Sequence, residues 1–169
     1  MVTIGDVLAV VAILVGVGVT AWALMVSCGL LFPHKVDRAR VAAELSPGKN
    51  MLFGLAVLIP GFLGVAALGV PNPVVKLVGW LLILGVLGVG AVGTAGLGHL
   101  AGRRLAEMWP EVGEYPAFVR GCAFLVTASM LPALGWFAFG PALLLIGLGA
   151  GSKALLAPSA PPRLVTTIG

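Results

Sequence analysis

The sequence predicts an all-α integral membrane protein of about four transmembrane helices, and three observations carry that prediction. Composition comes first: 60% of residues are hydrophobic and 9% charged, with a mean hydropathy of +1.13, against roughly 25% charged in soluble domains. Several uncharged runs of about 20 residues or more follow one another, the length that a bilayer demands of a helix. Within the run 78–102, Gly90, Thr94, Gly98 and Gly102 recur every fourth residue. They share one helix face and leave it nearly bare of side chain, a surface on which another backbone can lie closely. Almost all of the 169 residues are spent in the membrane, which makes residues 1–169 one membrane domain.

The first span is expected over 7–32. Its apolar run is about 26 residues against the 7 to 15 of a signal-peptide core, Asp6 stands where a positive n-region belongs, and no small-residue cleavage site follows, so it reads as a retained helix. Pro33 ends it. The segment 33–50 carries Lys35, Asp37, Arg38, Arg40, Glu44 and Lys49 and is read as a solvated basic loop. A short interfacial helix with Val36, Ala39, Ala43 and Val41 on one stripe is the alternative. The second span, 51–70, contains Pro60, where a kink is expected because proline lacks the amide for the helix ladder. Pro71, Asn72 and Pro73 connect it tightly to the third span, 78–102, so these two helices form an antiparallel hairpin. A second loop, 103–118, begins with Arg103 and Arg104, which complement the negative end of the third helix. It also holds Trp109, Tyr115 and Phe118, aromatics suited to an interface.

The last apolar run, 121–151, has two solutions. At 1.5 Å per residue its length exceeds a hydrocarbon core of about 30 Å by about half, and Pro132 and Pro141 interrupt it. A single kinked crossing is the preferred reading. The other is a re-entrant pair of half-helices turning between Leu134 and Gly140, allowed where protein covers the bend. An internal similarity between Ile59–Gly64 with Gly69 and Pro71, and Leu131–Gly135 with Gly140 and Pro141, favours the re-entrant form if it reflects a duplication. The tail 157–169 is proline-rich and reads as extended.

With four full crossings, Lys35, Arg38, Arg40, Lys49, Arg103, Arg104 and Arg120 fall on one side and Lys76, Lys153 and Arg163 on the other. The positive-inside rule then puts both long loops in the cytoplasm and both termini outside, in the cell inner (plasma) membrane. Lys35, Arg38, Arg40, Arg103 and Arg104 answer to topology and anionic lipid headgroups, so the net charge of +4 does not speak for nucleic acid. Cys28, Cys122, His34 and His99 make no metal spacing, and the two cysteines read as free thiols.

Chemistry-bearing patterns are nearly absent. No charge lies inside a span, where a transporter generally needs one, and there is no nucleophile set, paired carboxylate or phosphate loop. The predicted enzyme role is none. His99 is the one candidate cofactor ligand within a span: it sits among Gly96, Gly98 and Gly102, and small neighbours suit a flat tetrapyrrole beside an axial imidazole. His34 falls at the same membrane face, which would permit a bis-histidine haem or a chlorophyll-type pigment. The competing reading is a polar end group beside packing glycines, and no cofactor is the expectation.

The stretch from Leu52 to Arg104, followed by LPALGWFAFGPALLLIGLGAG from Leu131 to Gly151, combines an apolar hairpin, a glycine-rich helix ending in two arginines and a Leu-Gly-Trp run ending in Gly-Leu-Gly. In this it resembles the multi-pass membrane domain of bacterial polymer-forming proteins related to bactofilins. The resemblance implies a bacterial membrane anchor or scaffold and assigns no catalytic residue. Together with the packing faces, Gly147 and Gly151 included, it leads to the expectation of a non-catalytic structural or accessory subunit of a membrane assembly. Its expected partners are the bilayer and other membrane subunits or copies of itself. A small transporter or channel is the alternative, and a pigment- or haem-binding subunit the third reading.

Overall fold

Proline punctuation sets most helix boundaries. A residue before proline is pushed out of the α region, while the proline itself suits the first helical turn. Phe32 and Ser46 are accordingly one-residue breaks, and Pro33, Pro47 and Pro73 each open a helix. The computed structural model describes residues 4–108, 111 and 113–156. Its order is α1 (Ile4–Leu31), α2 (Pro33–Leu45), α3 (Pro47–Leu68), α4 (Pro73–Met108), α5 (Glu114–Ser129), a π-helical turn (Gly135–Phe139) and α6 (Gly140–Leu156). Four segments, Ile4–Leu31, Pro47–Leu68, Pro73–Met108 and Gly135–Leu156, are long and apolar enough to cross a membrane. No strand occurs among the described residues. The protein is an all-α, multi-pass membrane protein.

Three sequence expectations need correction. The segment 33–50 is helical rather than a loop: α2 fills it up to Leu45, and Val36, Ala39 and Ala43 are the residues it buries, while Val41 faces out. The third span is longer than 78–102, because α4 runs 36 residues to Met108, about 54 Å. Arg103 and Arg104 therefore lie in the helix, not in a loop over 103–118, and α5 already begins at Glu114. Trp109, Arg163 and the tail 157–169 lie outside the described residues. Pro60 sits inside α3, which stays helical through it.

The third correction concerns 121–151, which is not one helix. Proline at 132 has no amide to donate and its ring excludes the carbonyl four residues back. The helix ends at Ser129 with the Met130 amide on Val126 and Thr127 at 3.1 Å, and the Gly135 amide on Leu131 at 2.8 Å restarts it. Pro141 repeats the problem one turn on, and the chain answers with the wide π turn Gly135–Phe139, in which the Gly140 amide reaches back to Gly135. Pro60 lies mid-helix but Pro132 lies at a turn, so the two similar stretches are not structurally equivalent.

The two arms of this run open toward the same end of the bundle. At its start, Phe118 of α5 covers Gly29, near the C-terminal end of α1; further along, Val126 and Met130 reach Gly18. The turn thus lies about 13 residues, some 20 Å, along α1 from Leu31. At its finish, Lys35 of α2 donates to the Ala154 carbonyl at 3.4 Å, and Lys153 donates to Asn50, in the first turn of α3, at 2.6 Å. Helices α1, α3 and α4 traverse the bundle, and α5 and α6 enter and return at the α2 end. The core sits where α2, α4, α5 and α6 meet, around Val36, Ala39, Ala43, Val92, Ala95, Leu125, Ala150 and Ala154. Alanine dominates it, which lets backbones approach closely.

Candidate functional site

The small-residue positions pack helices of the same chain against one another. Gly98 lies under the sulfur of Cys122, and Gly102 under Ala117 and Phe118, so the upper part of the α4 face takes α5. Gly90 touches Leu148, and Thr94 touches Gly147, while Gly151 lies against Val89 and Gly93, so the lower part takes α6. The closest approach uses a residue outside the four-residue repeat: a methyl on Gly93 would overlap the Gly147 carbonyl. Gly96, on another face, packs against the backbone of Ala39 and Arg40. Helix α4 is thus embraced on several sides, which a single spacing pattern could not reveal.

Helix α6 is wedged between α3 and α4. Gly147 and Gly151 face α4, whereas Gly149 packs on the backbone of Asn50 and Gly54 packs on that of Leu145. At the open end of this wedge lies a polar lock that sequence reading missed. Asn50 is fully buried, its amide donates to the Ala42 carbonyl at 2.6 Å, and its carbonyl oxygen accepts from Lys153 Nζ at 2.6 Å. The Lys153 ammonium also lies 5.9 Å from the Phe53 ring centroid, within cation–π range. The lock ties α2, α3 and α6 together. The only signal for it in sequence was a lone asparagine beside an apolar run.

The two histidines line one cleft of about 590 Å³ at the α2 end, within the usual range for ligand sites. Val36, Phe118 and half-buried Gly29 form its floor, and exposed Leu30, His34, Asp37, Glu114 and Tyr115 its rim. His99 meets Phe118 edge to face, with ring centroids 5.6 Å apart and planes at 72°. Its Nδ1 is sealed from solvent and has no hydrogen-bond partner. A ligating imidazole ordinarily donates its second nitrogen to an acceptor, and Nδ1 has none here. Among the described residues, no group of three or more His, Cys, Asp or Glu side chains could hold a metal ion.

The intramembrane hydroxyls are turned onto their own helices. Thr20 donates to Gly16, Thr94 to Gly90, Thr127 to Ala123, Ser129 to Leu125 and Ser152 to Leu148, at 2.6–2.8 Å. The basic residues have mixed fates. Arg40 pairs with Asp37 at 2.8 Å and Glu44 at 3.5 Å, Lys35 caps α6, and Arg103 and Arg104 are exposed. Cys28 and Cys122 are free thiols, the latter fully buried.

Comparison with protein-family models, with curated proteins and with solved structures gives no match. The bactofilin-related resemblance accordingly stands on Leu52–Arg104 and Leu131–Gly151 alone.

Proposed function

We propose that the chain is a non-catalytic structural or accessory subunit of a membrane assembly, seated in a bacterial inner membrane with its α2 end in the cytoplasm and offering α1 to its partner. The observation that carries this reading is the state of α1. Of its 28 residues only Gly18 is buried, and Ile4, Leu8, Val11, Ile13 and Val17 along its first half are exposed. The repeat positions Gly90, Gly98, Gly102, Gly147 and Gly151 are filled by helices of the same chain, whereas a methyl on Gly16 of α1 meets nothing, as at Gly85 and Gly88 of α4.

Charge supports the orientation. Lys35, Arg38, Arg40, Lys49, Arg103, Arg104, Arg120 and Lys153 all belong to the α2 end, and Lys76 stands at the other. Returning α6 to the α2 end moves Lys153 to the majority side and strengthens the positive-inside bias. A transporter or channel is less well supported, because the hydroxyls that would line a pathway bond their own backbones. Haem ligation is less well supported by a His99 Nδ1 that lacks an acceptor.

The test is native mass spectrometry of the protein extracted with its own lipid, beside a Gly16→Leu variant. The account expects a mass above one 17.1 kDa chain that falls to a single chain in the variant, with thermal unfolding of the subunit itself unchanged. A monomer in both samples would count against it.

A further inference from the structure

We propose that the cleft between α1, α2, α4 and α5 binds a neutral lipophilic molecule that presents a carbonyl oxygen to His99 Nε2–H. Nδ1 is sealed and unpartnered, so the nitrogen open to an occupant is Nε2. A neutral imidazole carries its proton on one nitrogen only. Placing it on Nδ1 would bury a donor with nothing to receive it, which is the rarer and costlier arrangement. The proton therefore sits on Nε2, and the cleft offers a hydrogen-bond donor from a floor otherwise made of Val36 and Phe118.

The lining selects the rest of the ligand. Among the described residues no lysine or arginine lines the cleft, while Asp37 and Glu114 do, and the Arg40 guanidinium is engaged by Asp37 and Glu44. An anionic headgroup would meet carboxylates and no lysine or arginine among the described lining residues, so fatty acids and phosphates are disfavoured. The cleft lies at the level of the charged α2 helix, which is headgroup depth in a bilayer. A carbonyl at that depth on an apolar body is the chemistry of an isoprenoid quinone and of a neutral glycerolipid ester. This inference is independent of what α1 docks against.

The experiment uses the full chain in phosphatidylcholine nanodiscs, titrated separately with decylubiquinone and with dioleoylglycerol, reading the ¹⁵N and ¹H signals of His99. Saturable binding of either probe, with the Nε2–H proton shifting and Nδ1 remaining unprotonated, is the expected result, and the probe that binds identifies the source. His99→Phe keeps a ring against Phe118 and should weaken binding about tenfold, the worth of one lost donor facing a desolvated acceptor. Lys76→Ala, at the other end of the bundle, should change it less than about twofold, and equal thermal unfolding of both variants establishes that the fold is intact. No saturable binding of either probe, binding unaltered in His99→Phe, or a proton found on Nδ1 would overturn the proposal. So would a haem absorption band lost in His99→Phe, since it would make Nε2 a ligand rather than a donor.

Discussion

Replacing Asn50 with alanine should destabilise the bundle by about 3 kcal/mol. The side chain is fully buried and makes two short hydrogen bonds. The one to the Ala42 carbonyl joins neutral groups and is worth about 1 kcal/mol, whereas the one from the Lys153 ammonium is charge-assisted and worth about 1.5–3 kcal/mol. Truncation also leaves the part-buried Lys153 ammonium without its hydrogen-bond acceptor, facing the Phe53 ring at 5.9 Å. Lys153→Met keeps the aliphatic stem and removes the charge, so the double variant should recover part of the loss. Reversible unfolding in mixed micelles, run as a double-mutant cycle, should give a coupling energy of about 1.5–3 kcal/mol. A loss under about 0.5 kcal/mol for Asn50→Ala, or strict additivity with Lys153→Met, would refute the lock between α3 and α6.

Gly93→Ala should cost about 1–3 kcal/mol, because its methyl overlaps the Gly147 carbonyl; Gly88→Ala, in open space, should be neutral or stabilising by up to about 1 kcal/mol, and thermal unfolding compares the two. Asp37→Asn should cost about 0.5–1.5 kcal/mol, since Arg40, whose side chain is only 12% exposed, loses its 2.8 Å ion pair and keeps Glu44 at 3.5 Å. A maleimide added to the native protein should leave Cys122 unlabelled while denaturation exposes it, as its sulfur is buried under Gly98; mass spectrometry of the labelled peptide reads this.

The class of this fold was legible because hydropathy and helix length are local quantities. Proline punctuation was legible too, since Pro33, Pro47 and Pro73 act on the residue before them whatever the surroundings. What the sequence left open is tertiary. The run 121–151 reads as one kinked crossing in preference to two half-helices, because Pro132 states that the helix breaks but not where the chain goes next; Phe118 on Gly29 and Lys153 on Asn50 decide that, and they are contacts across the bundle. Likewise Gly90, Thr94, Gly98 and Gly102 announce a packing face, yet nothing in their spacing says that α5 and α6 of the same chain fill it. Gly93, Gly54 and Gly149 carried no periodic signal, since they face different neighbours. Of the cleft, His99 and His34 were legible as residues facing one membrane side; Phe118, Glu114 and Tyr115 join them only because α5 folds back beside α1. Asn50 was passed over because a single polar residue at a helix start is ordinary, and only its burial makes it a lock.

The central claim is that α5 and α6 enter and leave at the α2 end. It is tested most directly by single cysteines at Arg38, Asn72, Glu114 and Leu156, in a background with Cys28 and Cys122 replaced by alanine, labelled with a membrane-impermeant reagent in sealed vesicles of one orientation. The account predicts that positions 38, 114 and 156 label from one side and position 72 from the other. Labelling of position 156 from the side of Asn72 would mean a single crossing and would contradict it.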